Sequence, residues 1–523
     1  MLTGTMSRTY YVTTPIYYVN DKPHIGHSYT TIAADVLARF WRAAGRDVHF
    51  LTGTDEHGIK IVGAAQQRGM TPRALADEVV VHFQDLWKAL RITNDDFIRT
   101  TEPRHEKRVQ ELVRQLAAKD EVYLGRYEGW YDEGQEEFVT ESTARQNDYK
   151  SAINDRPLVR YSEPSYFFRL SKWVPRLVEH IESHRGFILP EARRNEVLSK
   201  LAQGVEDLSI SRQKHRLGWG IEMPNDPEHV VYVWIDALSN YYTALGSPPI
   251  GDEHDGVATK YWPCDVHLIG KDILWFHAVY WPCMLMALGI PLPRCVFAHG
   301  WWTSEGRKMS KSLGNFISRE VIDEICREYS VDVYRHFLLR SVAFGSDGDF
   351  SRDMLRRRYN TELANGVGNL LARTVKMIEQ YFDGVMPAPG PGGPQDEAVR
   401  AAAESLAGAA PQDMEVCAFH AYLARIVDLT AATNAYIDRT QPFTLAKDPS
   451  QRERLGTILY TCAEAVRIIL LYLRPVMPAT CDRGLAQLGC AAPEAVLAQI
   501  GSWGAMPRGA RTQKAESLFP RKL

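Results

Sequence analysis

The first hundred residues alternate between two hydrophobic periodicities. From Thr9 to Tyr18 the chain reads TYYVTTPIYY, strand-favouring at every position but Pro15. Pro23 then suits the first turn of a helix, Asn20 or Asp21 is placed to cap it, and Ile32, Val36, Leu37 and Phe40 fall on one helical stripe. DVHFLTGTDEHG (47–58) is a short apolar run ending in glycine and polar residues, which reads as a second strand with functional groups at its C-terminal end. Helical patterning continues through Leu116. Strand, helix, strand, helix predicts a parallel sheet covered on both faces.

From about Lys119 to Pro227 that rhythm breaks. YLGRYEGWYDEGQEEFV (123–139) reads as small antiparallel strands, with helical stretches at Trp173–His184 and Arg193–Gly204. VVYVWIDAL (230–238), CDVHLIGKDI (264–273) and RCVFAHGWW (294–302) then read as three further apolar strands. After Phe350 the spacing is helical throughout, as in Leu363, Val367, Leu370, Leu371, Val375 and Ile378, with MPAPGPGGPQDE (386–397) as an interrupting loop. The expected fold is α/β: a doubly wound, Rossmann-like parallel sheet in two halves (1–118 and 228–300) split by an inserted connective domain (119–227). A region at 301–358 and an all-α helical bundle at 359–523 follow.

Composition sharpens this in three ways. A chain of 523 residues exceeds one core and implies three to four structural units. Its formal charge of −3 supplies no global attraction to nucleic acid, so any such contact must be local, for example Arg356-Arg357-Arg358 or the tail from Arg508 to Lys522. Eight cysteines lie between Cys264 and Cys490 with no C-x-x-C pair, which excludes a disulfide framework or thiolate zinc site and fits a reducing cytoplasm. MLTGTMSRTYY lacks the apolar core of a secretion signal, and the run Ala465–Val476, broken by Arg467 and Arg474, is too short to span a bilayer; no membrane is expected as a partner.

The candidate chemistry sits in two short segments. GRKMSKSLGN (306–315) places Lys308 and Lys311 close together in a glycine-flanked loop, either a solvated basic loop or a mobile clamp for a polyphosphate. GWWTSEGRK (300–308) is not a P-loop: five residues separate its glycines where four are needed, and Arg307 stands where the lysine belongs. Gly366-Val367-Gly368 lacks a third glycine and a preceding strand, so a dinucleotide fingerprint is excluded as well. PHIGH (23–27) follows the first strand, so His24 and His27 share one helix face at its positive end, with Gly26 offering bare backbone to a flat purine.

PHIGH after the first strand and KMSKS past the last, across a divided parallel sheet, resemble the signatures of class I aminoacyl-tRNA synthetases. In that family the histidines and lysines bracket ATP while an amino-acid carboxylate attacks the α-phosphate, chemistry that needs alignment and distributed positive charge more than a strong base. The resemblance implies His24, His27, Lys308 and Lys311 as catalytic residues, with Asn20, Gly26, Gly270 and Asp272 joining them around ATP. Mg²⁺ is expected with the nucleotide.

Over nearly the whole chain the match is closest to the methionyl-tRNA synthetase family, through TTPIYYVNDKPHIGH, TGTDEHG, VYVWIDALSNYY, IGKDILWFH and HGWWTSEGRKMSKSLGNFI. It implies a methionine pocket of Pro15, Ile16, Tyr18, Trp234, Ala237, Tyr241, Ile273 and His277, with Asp55 taking the substrate ammonium. Aromatic rings suit a thioether, and Tyr18 or His277 would offer its sulfur a weak hydrogen bond. Leu238 departs from the proline of some relatives. The 119–227 insertion is too short for the editing domain that synthetases for leucine, isoleucine and valine need to reject a substrate one methylene away. With no cysteine before Cys264 the four-thiolate zinc knuckle of many relatives cannot form, so no zinc is expected and Tyr127–Phe138 must be held by packing alone.

The resemblance also places the region at 301–358 against the tRNA stem and the helical region at 359–523 on the anticodon. Asn369, Arg373, Pro442 and Phe443 match anticodon-reading positions, Phe443 where tryptophan is usual. The chain ends soon after these helices, so a monomer is expected. The implied activity joins L-methionine to tRNA(Met) with hydrolysis of ATP to AMP and pyrophosphate. The alternatives are a class I enzyme for another apolar amino acid, a coenzyme-forming adenylyltransferase, and a tRNA-binding protein descended from a synthetase.

Overall fold

A six-stranded sheet organises the first half of the protein, in the order Asp96–Arg99, Asp47–Asp55, Thr9–Tyr18, Val266–Gly270, Val296–His299, Ile188–Leu189. The computed structural model describes residues 9–133, 137–139, 141–152, 154–251, 256–304, 306–309, 315–490, 497, 501–507 and 509–522. Thr9–Tyr18 pairs in parallel with Val266–Gly270, and the latter with Val296–His299. Strand order therefore reverses between Thr9–Tyr18 and Val266–Gly270, and in open α/β sheets the crevice beyond the strand ends at such a point is where ligands bind. Gly53 allows the sheet to close at one edge: a Cβ there would lie 2.0 Å from the Ile98 carbonyl oxygen.

The sheet differs from the sequence expectation in two strands. VVYVWIDAL is not one of its members. Its first residues end an antiparallel strand, Asp226–Val231, that pairs with Ser211–Gln213, and a helix begins at Val233 and runs to Thr243. Trp234, Ala237, Leu238 and Tyr241 recur at helical spacing, and burial of that stripe outweighs the strand preference of Val230, Val231 and Val233. The outermost strand is instead Ile188–Leu189, too short to carry a period.

Two compact units contain these elements, Thr9–Ala34 with Val48–His299, and Asp35–Asp47 with Gly300–Leu523. In the first, a four-stranded antiparallel sheet (Glu137–Val139, Val122–Asp132, Val159–Phe168, Leu208–Ser209) interrupts the parallel one. Its knuckle-like segment is held by more than packing. Glu141 accepts from Trp130 Nε1 at 2.7 Å and from the Tyr149 hydroxyl at 3.0 Å, and the two rings lie 4.8 Å apart.

The second unit is helical from Arg352 onward. Its helix Arg452–Leu473 is buried at every residue from Leu455. It lies within Pro449–Leu473, which contains a window long and apolar enough to cross a membrane, and that window is fully buried inside the protein. Arg467 is carried inside by its ion pair with Glu464, Nη2 to Oε1 at 2.6 Å. Arg335 and Asp35, both fully buried, pair at 2.7 Å while Arg335 Nε donates to the Val476 carbonyl, fixing the second half of helix Ile25–Ala43 within this unit.

Candidate active site

At the strand ends of the first unit the sequence-expected residues come together. Tyr18 closes the strand Thr9–Tyr18, Asp55 closes Asp47–Asp55, and Gly270 closes Val266–Gly270. Asp55 is 3 % exposed. Helix Val233–Thr243 supplies Trp234, Ala237 and Tyr241, all buried. A 3₁₀ turn, Lys271–Ile273, and a π-helical stretch, Phe276–Tyr280, bring Ile273 and His277 round to the same cluster. A π turn within an otherwise α-helical run is a recurrent feature of functional sites, because it re-aims one side chain. Pro15 is buried, while Ile16, Tyr18 and Ile273 are half-buried, the last three packing on the core that contains Trp234 and Tyr241.

His277 has both ring nitrogens engaged. Nδ1 lies 2.9 Å from the Ile273 carbonyl oxygen, which only accepts, so Nδ1 carries the proton. Nε2 therefore accepts from the Tyr241 hydroxyl at 2.7 Å. Burial pushes the imidazole pKa down to about 4, so the ring is neutral near neutral pH. The expectation that His277 donates to a thioether is corrected on this point: its one N–H is engaged by Ile273. Trp234 stacks on Phe276 with centroids 3.6 Å apart and planes 4° from parallel. The cluster is aromatic, uncharged and buried.

His24 and His27 adopt a mutual arrangement that the sequence did not disclose. The helix begins at Ile25, and the Asp21 carboxylate accepts from the Lys22 backbone. The His27 Nδ1 accepts from the His24 backbone N–H at 3.0 Å, and the His24 Nδ1 accepts from the Gly26 N–H at 3.1 Å. Each Nδ1 is thus unprotonated, and the neutral ring must hold its proton on Nε2. Burial and the neighbouring His24 hold the His27 pKa well below the usual imidazole value. The rings lie 3.9 Å apart, and a Cβ on Gly26 would come within 3.0 Å of the His24 ring. Glycine at 26 makes room for that ring.

Asn20 and Asp272 are exposed, and Gly270 is half-buried beneath the Asp272 carboxylate, which a Cβ on Gly270 would overlap. In the second unit, Lys308 lies in the hairpin Trp302–Ser304/Arg307–Lys308, with its backbone opposite Thr303. Lys311 lies outside the described residues.

The anticodon candidates are within the helical unit. Asn369 is exposed at the start of helix Asn369–Phe382, and Arg373 one turn later bonds Asp438 at 2.8 Å and Asn434 at 3.3 Å. Pro442 is buried and opens a short helix, Pro442–Leu445; Gln441, at φ 43°, turns the chain into it. Phe443, 48 % exposed, projects from that helix.

Sequence reading passed over the residues next to the cluster. Glu56 and His57 stand beside Asp55 in the quoted TGTDEHG, and Asp236 stands inside VWIDAL, yet none was singled out because their partners are remote in sequence. Asp236 accepts from His57 and from His105, residues 179 and 131 positions away.

A parallel sheet with its switch point lined by a histidine pair, a buried carboxylate and an aromatic cluster is the architecture of a class I tRNA synthetase, and the family model "tRNA synthetases class I (M)" matches residues 10–147 and 141–375. The "Methionine–tRNA ligase" of Caldanaerobacter subterraneus subsp. tengcongensis is 48 % identical over 99 % of this chain and 79 % of its own, and that of Bacillus subtilis 44 % identical over 98 % and 78 %. The Mycobacterium tuberculosis methionyl-tRNA synthetase in complex with methionyl-adenylate superposes with a TM-score of 0.91 at 41 % identity, covering 98 % of this chain and 100 % of the other. The chain belongs to the methionine–tRNA ligase family.

Proposed function

We infer that the protein activates L-methionine with ATP to methionyl-adenylate and transfers the methionyl group to tRNA(Met). The observation that carries the specificity is the buried, neutral cluster of Trp234, Tyr241 and His277 with Asp55 at the neighbouring strand end. A long uncharged thioether suits such a lining, since sulfur makes favourable contacts with aromatic edges. Pro15, Ile16, Tyr18, Ala237 and Ile273 complete the pocket, and Asp55 pairs with the substrate ammonium.

In the first step an oxygen of the methionine carboxylate forms a bond to the α-phosphorus of ATP, and the bond to pyrophosphate breaks. The Nε2–H groups of His24 and His27 donate to the phosphate oxygens on which charge builds, while Asn20, Gly26, Gly270 and Asp272 hold the nucleoside. Lys308 and Lys311 neutralise the β- and γ-phosphates, which leave together as pyrophosphate. In the second step a terminal ribose hydroxyl of the tRNA attacks the carbonyl carbon and AMP leaves. Among the described residues no group of three or more His, Cys, Asp or Glu is arranged to hold a metal ion. Mg²⁺ enters as the counter-ion of ATP, carried by the phosphates, and the enzyme works without zinc.

The insertion 119–227, the stem-contacting region 301–358 and the helical region 359–523 complete the enzyme. Asn369, Arg373, Pro442 and Phe443 read the anticodon. The protein acts as a cytoplasmic monomer. Amino-acid-dependent exchange of labelled pyrophosphate into ATP tests the reading: methionine supports exchange, whereas leucine, isoleucine and valine do not. Exchange with leucine or isoleucine and none with methionine would overturn the specificity.

A further inference from the structure

The mechanism above makes no use of a buried ionic cluster in the catalytic unit. Asp236, 1 % exposed, lies on helix Val233–Thr243 between Trp234 and Ala237. One carboxylate oxygen accepts from His57 Nδ1 at 2.7 Å and the other from His105 Nε2 at 2.7 Å. His105, fully buried on helix Pro103–Ala118, receives at Nδ1 the hydroxyl proton of Thr243, 2.7 Å away at the end of the Asp236 helix. His57 Nε2 lies 3.9 Å from Glu106, and its ring meets Trp219 edge to face at 5.2 Å.

The neighbouring residue in the chain is held as firmly. Glu56, fully buried, takes a bidentate pair from Arg99 at 2.7 and 2.9 Å and the hydroxyls of Thr54 and Thr101. Asp55 therefore stands next to two locked positions. Glu56 ties the strand end to the adjacent strand Asp96–Arg99, and His57 ties it to the helix that bears Trp234, Ala237 and Tyr241. A buried carboxylate with a protonated partner on each oxygen has little freedom to shift.

We propose that the His57–Asp236–His105 relay is a positioning device for the amino-acid substrate. It fixes the span between Asp55, which takes the α-ammonium, and the aromatic pocket, which takes the side chain, and so sets which side-chain length is accepted. This rests on the reading of Asp55 and of the pocket given above. The three relay residues touch no substrate and act through Asp55 and through helix Val233–Thr243.

The relay also carries a pH signature. Burial disfavours the charged form of His57, but the carboxylates of Asp236, Glu106 and Glu56 together outweigh it and the pKa lies above the usual imidazole value. The charged and titratable groups facing His57 are Asp236 on its helix, Glu106 with His105 on helix Pro103–Ala118, and Glu56 beside it. Protonated His57 balances Asp236. Loss of that proton leaves an uncompensated buried carboxylate and loosens the tie.

The test measures pyrophosphate exchange by the full chain from pH 6.5 to 9 for wild type, Asp236→Asn, His57→Gln, Thr243→Val and Asp55→Asn. The expected result for Asp236→Asn is a methionine KM raised about tenfold or more, with the ATP KM within twofold of wild type. The preference for methionine over its one-methylene-longer analogue ethionine should also narrow. His57→Gln retains a donor to Asp236, so its methionine KM rises less and loses the rise at high pH that wild type shows. Thr243→Val gives a smaller shift in the same direction. If Asp236→Asn fails to fold, the His57→Gln pH profile and the Thr243→Val shift decide. Asp55→Asn separates the two layers. Should it abolish methionine binding while His57→Gln keeps the wild-type pH profile and Asp236→Asn the wild-type methionine KM, the relay proposal is wrong and the pocket reading stands. Should Asp55→Asn leave methionine binding intact, both are wrong.

Discussion

The neutrality of His277 leads to a prediction whose size follows from its surroundings. The imidazole is 2 % exposed, donates to a carbonyl and accepts from a buried hydroxyl, and its pKa is pushed down to about 4. An unfolded chain protonates it near 6.5, so between pH 6.5 and about 4 the unfolded state binds a proton that the folded state refuses. Stability contributed by the neutral ring is complete above 6.5 and is lost as pH falls. Each unit of separation is worth 1.36 kcal/mol, so going from pH 7 to pH 4.5 costs about 2–3 kcal/mol at this one residue. Other buried histidines, His267, His336 and His27, titrate in the same direction, so the absolute slope is not diagnostic. The difference between wild type and His277→Gln is. The glutamine amide introduced by that substitution can accept from Tyr241 and donate to the Ile273 carbonyl without titrating. Urea unfolding followed by tryptophan fluorescence at pH 7 and 4.5 should show the variant losing about 2–3 kcal/mol less than wild type. Equal losses would mean that His277 is not held neutral, and the argument for an uncharged pocket would fail with it.

Three further outcomes follow from the proposed roles. Lys311→Ala should lower the rate of adenylate formation by two to three orders of magnitude, about 2.7–4 kcal/mol, with methionine KM little changed; a wild-type rate in single-turnover measurement would remove the lysine loop from catalysis. Arg373→Ala should leave pyrophosphate exchange at the wild-type level and reduce tRNA charging at least tenfold through the tRNA KM, and a loss of both activities together would refute a role confined to tRNA. Dialysis against a chelator followed by Mg²⁺ alone should restore full charging, with less than one zinc per ten chains by elemental analysis, because no cysteine precedes Cys264.

The parts of the fold that sequence disclosed are those where period and chemistry agree. The strand Thr9–Tyr18, the glycine- and polar-ended strand closing at Asp55, and the helix with its Ile32, Val36, Leu37 and Phe40 stripe are all observed, and those four side chains are buried. The failures have one physical origin each. VVYVWIDAL carries strand propensity in its first half and a helical stripe in its second, and only tertiary burial decides where one yields to the other. Ile188–Leu189 joins the sheet through its neighbour Val296–His299, so nothing local marks it. The π stretch at Phe276–Tyr280 cannot be told from an α-helix by spacing, yet it turns His277 toward Tyr241. The histidine pair was legible as residue types at a helix start. Its hydrogen bonding was not, because backbone N–H groups are invisible to a pattern of side chains.

The distribution of charge within the catalytic unit bears on the proposed role of Asp55, one carboxylate in a polar neighbourhood. Glu56 is neutralised by Arg99 and Asp236 by His57, each within hydrogen-bonding distance, and both carboxylates are out of water. His277 is neutral, and Tyr241, its pKa raised by burial, stays protonated. A charged or strongly polar side chain entering the cluster would leave water with no counter-charge to meet it, a cost of several kcal/mol. An apolar side chain meets no such penalty. On the proposed roles of Asp55 and the pocket, the selectivity against charged amino acids comes from neighbouring ions that are already satisfied, and the choice among apolar side chains is left to the length set between Asp55 and the helix Val233–Thr243.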